Sequence, residues 1–157
     1  MGDESKIAWT GATWNCVVGC SKVSEGCTNC YAETLALRYG WSKHPWAERY
    51  AEENVVLKPQ KLTLPLTPKW AEPKRVFVNS LSDVFHPLVP FEFVEAMWGV
   101  MALSPQHTYQ ILTKRPERML EFVRQLDTRN IKIGMVRALK PGLLDSGANN
   151  ILVHLPE

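Results

Sequence analysis

Short apolar runs of strand character and longer amphipathic runs of helix character take turns along this chain at least three times. The clearest unit begins at Arg75-Val76-Phe77-Val78-Asn79-Ser80, a β-branched and aromatic run bounded by Pro73 and by Ser82-Asp83, which predicts a buried strand. Pro90 then opens a helix over Phe91 to Leu103, with Phe93, Val94, Met97, Trp98, Met101 and Ala102 on its sheet-facing side, and Pro105 ends it. His107 to Leu112 predicts the next strand. Pro116 opens the next helix, with Met119, Leu120, Phe122, Val123 and Leu126 as its apolar face. An earlier unit runs from a short strand after Ile7, through a loop, into a helix over Tyr31 to Tyr39 that takes Thr28 or Asn29 as its cap and stops at Gly40. Alternation of this kind predicts an α/β fold with parallel strands and right-handed crossovers, either open or curved into part of a barrel. A complete eightfold barrel takes about 250 residues, so a chain of 157 accommodates only part of one.

Between these units, Trp41 to Glu53 has no clean period and predicts an irregular excursion with one helical turn. Val55-Val56-Leu57 predicts a short strand, and Thr63 to Trp70, broken by Pro65 and Pro68, a loop or interrupted helix. The α/β pattern fills residues 1–129. Residues 130–157, with short apolar runs at Ile131-Lys132-Ile133 and Ile151-Leu152-Val153, predict a divergent, weakly organised tail.

Composition decides the broad class. A chain that is 45% hydrophobic and 22% charged suits one globular domain with its own core rather than a disordered segment. Eighteen Lys and Arg against sixteen Asp and Glu leave a formal charge of +2, with no basic run, so nucleic-acid binding is not indicated by charge. The start carries acids and no long apolar stretch, which predicts neither a signal peptide nor a membrane span, and a cytoplasmic location follows by default.

Reducing cytoplasm disfavours disulfides and turns attention to metal or redox chemistry for clustered thiols. All four cysteines, Cys16, Cys20, Cys27 and Cys30, fall within fifteen consecutive positions. Two thiols three positions apart, as in Cys27-Thr28-Asn29-Cys30, aim at one metal or at two irons of one cluster. Gly19 and Gly26 precede Cys20 and Cys27 and permit tight backbone, and a helix starting near Cys30 turns its positive end toward the thiolates. Spacing alone leaves two sites open: iron–sulfur ligation by Cys20, Cys27 and Cys30, and a four-cysteine zinc site that adds Cys16.

Several blocks occur in a distinctive order. Thr13-Trp14-Asn15, Gly19-Cys20, Lys22-Val23-Ser24, Gly26-Cys27 and Asn29-Cys30-Tyr31-Ala32-Glu33 come first. Phe77-Val78-Asn79-Ser80, Ser82-Asp83 with Phe85-His86, and Leu112-Thr113-Lys114-Arg115-Pro116 follow. Together, over about Ile7 to Leu126, they resemble a bacteriophage family of uncharacterised proteins, the gp-thirty-seven/gp-sixty-eight family, which is similar to radical SAM enzymes. The resemblance implies a partial radical-SAM-type, TIM-like barrel in the cytoplasm of a bacterial host or prophage-bearing cell. It also implies a 4Fe-4S cluster on three cysteines, with a fourth iron open to S-adenosylmethionine. Reductive cleavage of that cofactor would need an electron donor and would act on a substrate the residues do not name.

The chain departs from that pattern in three ways. Six residues separate Cys20 from Cys27 where radical SAM enzymes usually have three, Cys16 stands where the family typically has Pro, and the family's further strand–helix units are not followed after about Ile133. A non-catalytic zinc-binding module built on all four cysteines and an inactive truncated relative therefore stand as alternatives. Asn79, Ser80, Asp83 and His86 follow one predicted strand and Lys114 and Arg115 another, which is the edge of a parallel sheet where sites gather; these six are the candidate cofactor or substrate contacts.

Overall fold

A computed structural model of the chain describes Ser5 and residues 7–140. Strands β1 (Ala12–Trp14) and β2 (Val17–Val18) lead into the cysteine loop, which makes a 3-10 turn at Glu25–Cys27 before helix α1 (Tyr31–Arg38). A short helix α2 (Ala51–Asn54) and strand β3 (Val56–Leu57) precede three 3-10 turns at Pro59–Lys61, Leu64–Leu66 and Pro68–Trp70. Then come β4 (Arg75–Val78), α3 (Phe91–Leu103), β5 (Thr108–Ile111), α4 (Pro116–Gln125) and α5 (Thr128–Leu139).

The main sheet is parallel, in the order β1-β4-β5, with Ala12 opposite Val76 and Val76 opposite Tyr109. β2 and β3 form a separate antiparallel pair. The fold is thus mixed α/β with a three-stranded parallel sheet that does not close into a barrel among the described residues. Alternation along β4 explains its sequence, since Val76 and Val78 are fully buried in the main core while Phe77 points the other way, against the ring of Trp9. β1 repeats the pattern, with Ala12 and Trp14 in the core and Thr13 on the opposite face.

α3 occupies the predicted span, and its near-continuous apolar sequence has a physical cause. It lies between the sheet and α5, so Phe93, Val94, Ala96, Met97, Gly99 and Val100 are all buried, while Ala102, expected on the sheet face, is exposed. α4 is anchored mainly by Phe122, whose ring meets Phe85, Phe91 and Trp98; Leu120 and Val123, expected on its apolar face, remain about half exposed. α1 ends at Gly40 as expected, with φ of +67°, but its N-cap is Cys30 rather than Thr28 or Asn29.

The segment predicted as the start of a weak tail is instead a helix. Asp127 caps α5 by accepting from the Asn130 N–H (2.7 Å), and the Asn130 side chain accepts from the Asp127 N–H (3.2 Å). The 129/130 boundary thus falls inside α5. Gly99 and Gly134 let α5 approach α3 backbone to backbone. A methyl group on Gly99 would lie 2.2 Å from the Met135 nitrogen, and one on Gly134 would lie 2.0 Å from the Glu95 carbonyl oxygen. Arg137 and Asn130 both bond the Glu95 carboxylate across this crossing. Ile151-Leu152-Val153 lies outside the described residues.

Because rigid backbone, not a pliable side chain, faces both glycines, Gly134→Ala should overpack the crossing. We expect a loss of about 3 kcal/mol, read as a lower urea midpoint at unchanged slope.

Candidate functional site

The cysteine loop is held at its root by backbone. Gly19 has φ of +86° and donates to the Leu81 carbonyl (3.0 Å), and a methyl group there would sit 1.9 Å from the Asn54 carbonyl oxygen. Only glycine meets both demands. Beyond it, the Lys22 N–H donates to the Trp46 carbonyl (3.0 Å) and its ammonium pairs with Glu33 on α1 (2.7 Å). Glu33 also accepts from the Trp46 N–H (2.8 Å), so the loop, α1 and the Trp46 segment form one unit.

Cys20, Cys27 and Cys30 line a single cavity of about 630 Å³. Asn79, Ser80 and Asp83 from the segment after β4, and Lys114 and Arg115 from the segment after β5, line the same cavity. The site therefore sits at the carboxyl ends of parallel strands, where side chains from successive strand–helix turns converge. Three of the four cysteines and five of the six expected contacts meet there. Cys16 does not. It is fully buried in the main apolar core and lines no part of this cavity, because it falls in the tight turn between β1 and β2. Among the described residues no three His, Cys, Asp or Glu side chains are drawn together tightly enough to hold a single metal ion.

His86 also stands apart from the cavity surface. It is fully buried behind it, with Nδ1 accepting from the Leu88 N–H (3.1 Å) and Nε2 bonded to the Ser21 hydroxyl (2.8 Å). The first bond places the ring proton on Nε2, so His86 braces the residue that follows Cys20 rather than facing a ligand. Burial first, and then the Arg115 charge, push its pKa down from 6.5 to about 4.

Asp83 and Arg115 are the polar centre of the wall, 5% and 8% exposed. Asp83 Oδ1 accepts from the Phe85 N–H (2.9 Å) and the Thr113 hydroxyl (2.8 Å); Oδ2 accepts from the Lys114 N–H (3.0 Å) and Arg115 Nη1 (3.1 Å). Arg115 Nη2 donates to the Ser21 carbonyl (2.9 Å) and hydroxyl (3.2 Å), and Nη1 also reaches Cys20 Sγ at 3.5 Å. Lys114 is exposed, and its ammonium lies over Gly26 in the Cys27 turn.

Asn79 carries the described residues' non-glycine positive φ, +55°. Its Oδ1 accepts from the Cys16 (2.8 Å) and Val17 (3.2 Å) N–H groups, while its buried Nδ2 has no partner among the described residues. Ser80 is fixed through its carbonyl, which accepts from the Tyr31 hydroxyl (2.7 Å), and through its own hydroxyl, which donates to Asn15 (3.2 Å). Pattern reading missed Asn15, Ser21, Tyr31 and Thr113, because each acts through a contact distant in sequence. For Asn15, Tyr31 and Thr113 the one signal was membership of the ordered blocks already quoted; Ser21 had none.

The thiols differ in electrostatic setting. Burial raises the pKa of Cys20, with Arg115 pulling against it. Burial also opposes ionisation of Cys27, but the Val23 and Ser24 backbone, the Ser24 hydroxyl and Lys114 outweigh it and leave that thiol below its ordinary value. Burial raises Cys16 well above the ordinary range.

A profile of the family described as "Protein of unknown function (DUF5131)" matches residues 4–144. The chain belongs to that family. The DUF5131 region takes in every element from β1 to α5, including the cysteine loop and the Asp83–Arg115 wall. Comparison with curated proteins gives no match, nor does comparison with solved structures. No helix among the described residues is long and apolar enough to cross a membrane.

His86 generates a pH prediction. Its imidazole binds a proton more weakly folded than unfolded, so its contribution is fully present above pH 6.5 and is lost as pH falls toward 4. Unfolding free energy should drop by roughly 3 kcal/mol across that window. Denaturation at pH 7, 5.5 and 4 should show a flatter profile for His86→Gln.

Proposed function

We propose that this DUF5131 protein is a radical-SAM-like iron–sulfur protein, with its parallel strands forming part of a TIM-like barrel. Cys20, Cys27 and Cys30 hold a 4Fe-4S cluster, and S-adenosylmethionine is reductively cleaved to act on a substrate yet to be identified. The observation that carries the reading is the convergence of those three thiols, from separate turns of one loop, on one cavity at the carboxyl ends of β4 and β5.

The donor set suits the group. Three cysteines line a space large enough for a cluster and an organic ligand, Lys114 and Arg115 stand beside the cysteine loop, and the unpaired Asn79 Nδ2 is a buried donor in want of an acceptor. A cluster takes its ligands on separate irons, so three cysteines that line one cavity can serve it. A four-cysteine zinc site, by contrast, needs Cys16, which lies in the apolar core. A bound cluster with an open iron supplies the electron that cleaves the sulfonium of S-adenosylmethionine, drawn from an external donor.

The chain's own residues do the positioning. Cys27 is biased toward thiolate, and Arg115 beside Cys20 offsets part of the burial that holds that thiol protonated. Asn79, fixed by the β1–β2 turn, and Ser80, fixed by Tyr31, would offer polar groups to a bound cofactor, and Lys114 a cation at the rim. Phe77, Ile111 and Leu112 give the cavity an apolar side.

Anaerobic reconstitution with iron and sulfide should give a coloured protein with about four irons per chain. Cys20→Ala, Cys27→Ala and Cys30→Ala should each lose most of that iron, and Cys16→Ala should keep it. With a low-potential reductant, S-adenosylmethionine should be consumed. Colourless protein that takes up zinc alone would falsify the iron–sulfur reading; a loaded cluster that leaves the cofactor intact would remove the enzymatic part, as an inactive relative would.

A further inference from the structure

The guanidinium of Arg115 is aimed at a cysteine sulfur rather than at open space. Nη1 is shared between Asp83 Oδ2 (3.1 Å) and Cys20 Sγ (3.5 Å), and Nη2 holds the carbonyl and hydroxyl of Ser21. With Arg115 8% exposed and Asp83 saturated by four donors, the fork has one orientation, and it reads the Cys20-Ser21 dipeptide as a unit. His86 fixes the same Ser21 hydroxyl from behind. An arginine at the end of a strand is commonly an anion clamp, but here both terminal nitrogens are already engaged within the wall.

From this geometry we infer that Arg115 is a positioning residue for the Cys20 ligand, setting the place of its sulfur and the reduction potential of the group it holds. The inference rests on the iron–sulfur reading above. Hydrogen bonds and positive charge at a ligating sulfur stabilise the more electron-rich state of a cluster, so the Arg115 donor makes the potential less negative and eases its one-electron reduction. The carboxylate of Asp83 bonds the same Nη1 and fixes the direction of the fork; its charge offsets part, not all, of the guanidinium's at the sulfur.

Two measurements on reconstituted protein test it. Arg115→Gln, which removes the charge and one fork of donors, should load less iron, and the cluster it does hold should show a more negative midpoint potential, with Arg115→Lys between the two. Equal potentials and equal electron paramagnetic resonance spectra across the three proteins would overturn the role. Should Arg115→Gln fail to fold, the wild-type protein labelled with nitrogen-15 arginine carries the test. A weak nitrogen-15 hyperfine coupling to the reduced cluster supports the inference, provided Ser21→Ala, which keeps Arg115, retains it; absence of coupling refutes it. Wild-type protein that takes up no cluster overturns the functional reading itself, a result distinct from a loaded cluster indifferent to Arg115.

Discussion

Asp83 and Arg115 form a buried ion pair that ties together three segments remote in sequence: the turn after β4, the turn after β5, and the cysteine loop. A buried pair is costly to desolvate, and it persists here because nearly every lone pair and N–H around it is matched. Removing one partner would strand a charge in the wall at a cost of about 3–5 kcal/mol. This network spans one wall of the cavity, and a second apolar cluster of Cys20, Ala32, Ala36, Trp46 and Leu81, separate from the main core, packs beside it.

The second constraint is backbone proximity. Gly19 lets the cysteine loop leave the sheet against the Asn54 carbonyl, and Gly99 with Gly134 lets α5 lie directly on α3. The two sites do different work. The first aims three thiols at the carboxyl end of the sheet, while the second seals the outer face of α3 so that its apolar sequence has a partner on each side. Packing on one face thus leaves the opposite face of β4, with Phe77, free to border the site.

Function in the proposed reading follows from an uneven electrostatic field over three like side chains. Cys27 sits in a half-exposed turn among backbone dipoles and near Lys114, whereas Cys20 is buried and leans on Arg115. Cys16, equally close in sequence, lies among apolar side chains where a thiolate is disfavoured. Four cysteines within fifteen positions therefore separate into a converging set and a core residue by environment alone.

The sequence by itself determined the strand–helix alternation, the spans of α3 and β4, and the three-cysteine loop, because periodicity and proline punctuation are local properties of the chain. It also placed Asp83, Asn79, Lys114 and Arg115 at strand ends, where a parallel sheet gathers them. Only the tertiary structure decided that Cys16 belongs to the core, that His86 braces Ser21 from behind, and that Thr128–Leu139 is a packed helix rather than a tail. Each of those outcomes depends on a partner far along the chain: Asn79 and the apolar core for Cys16, Ser21 for His86, Gly99 for α5. No local pattern encodes which distant residue will fill the space beside a side chain, so these assignments waited on the fold.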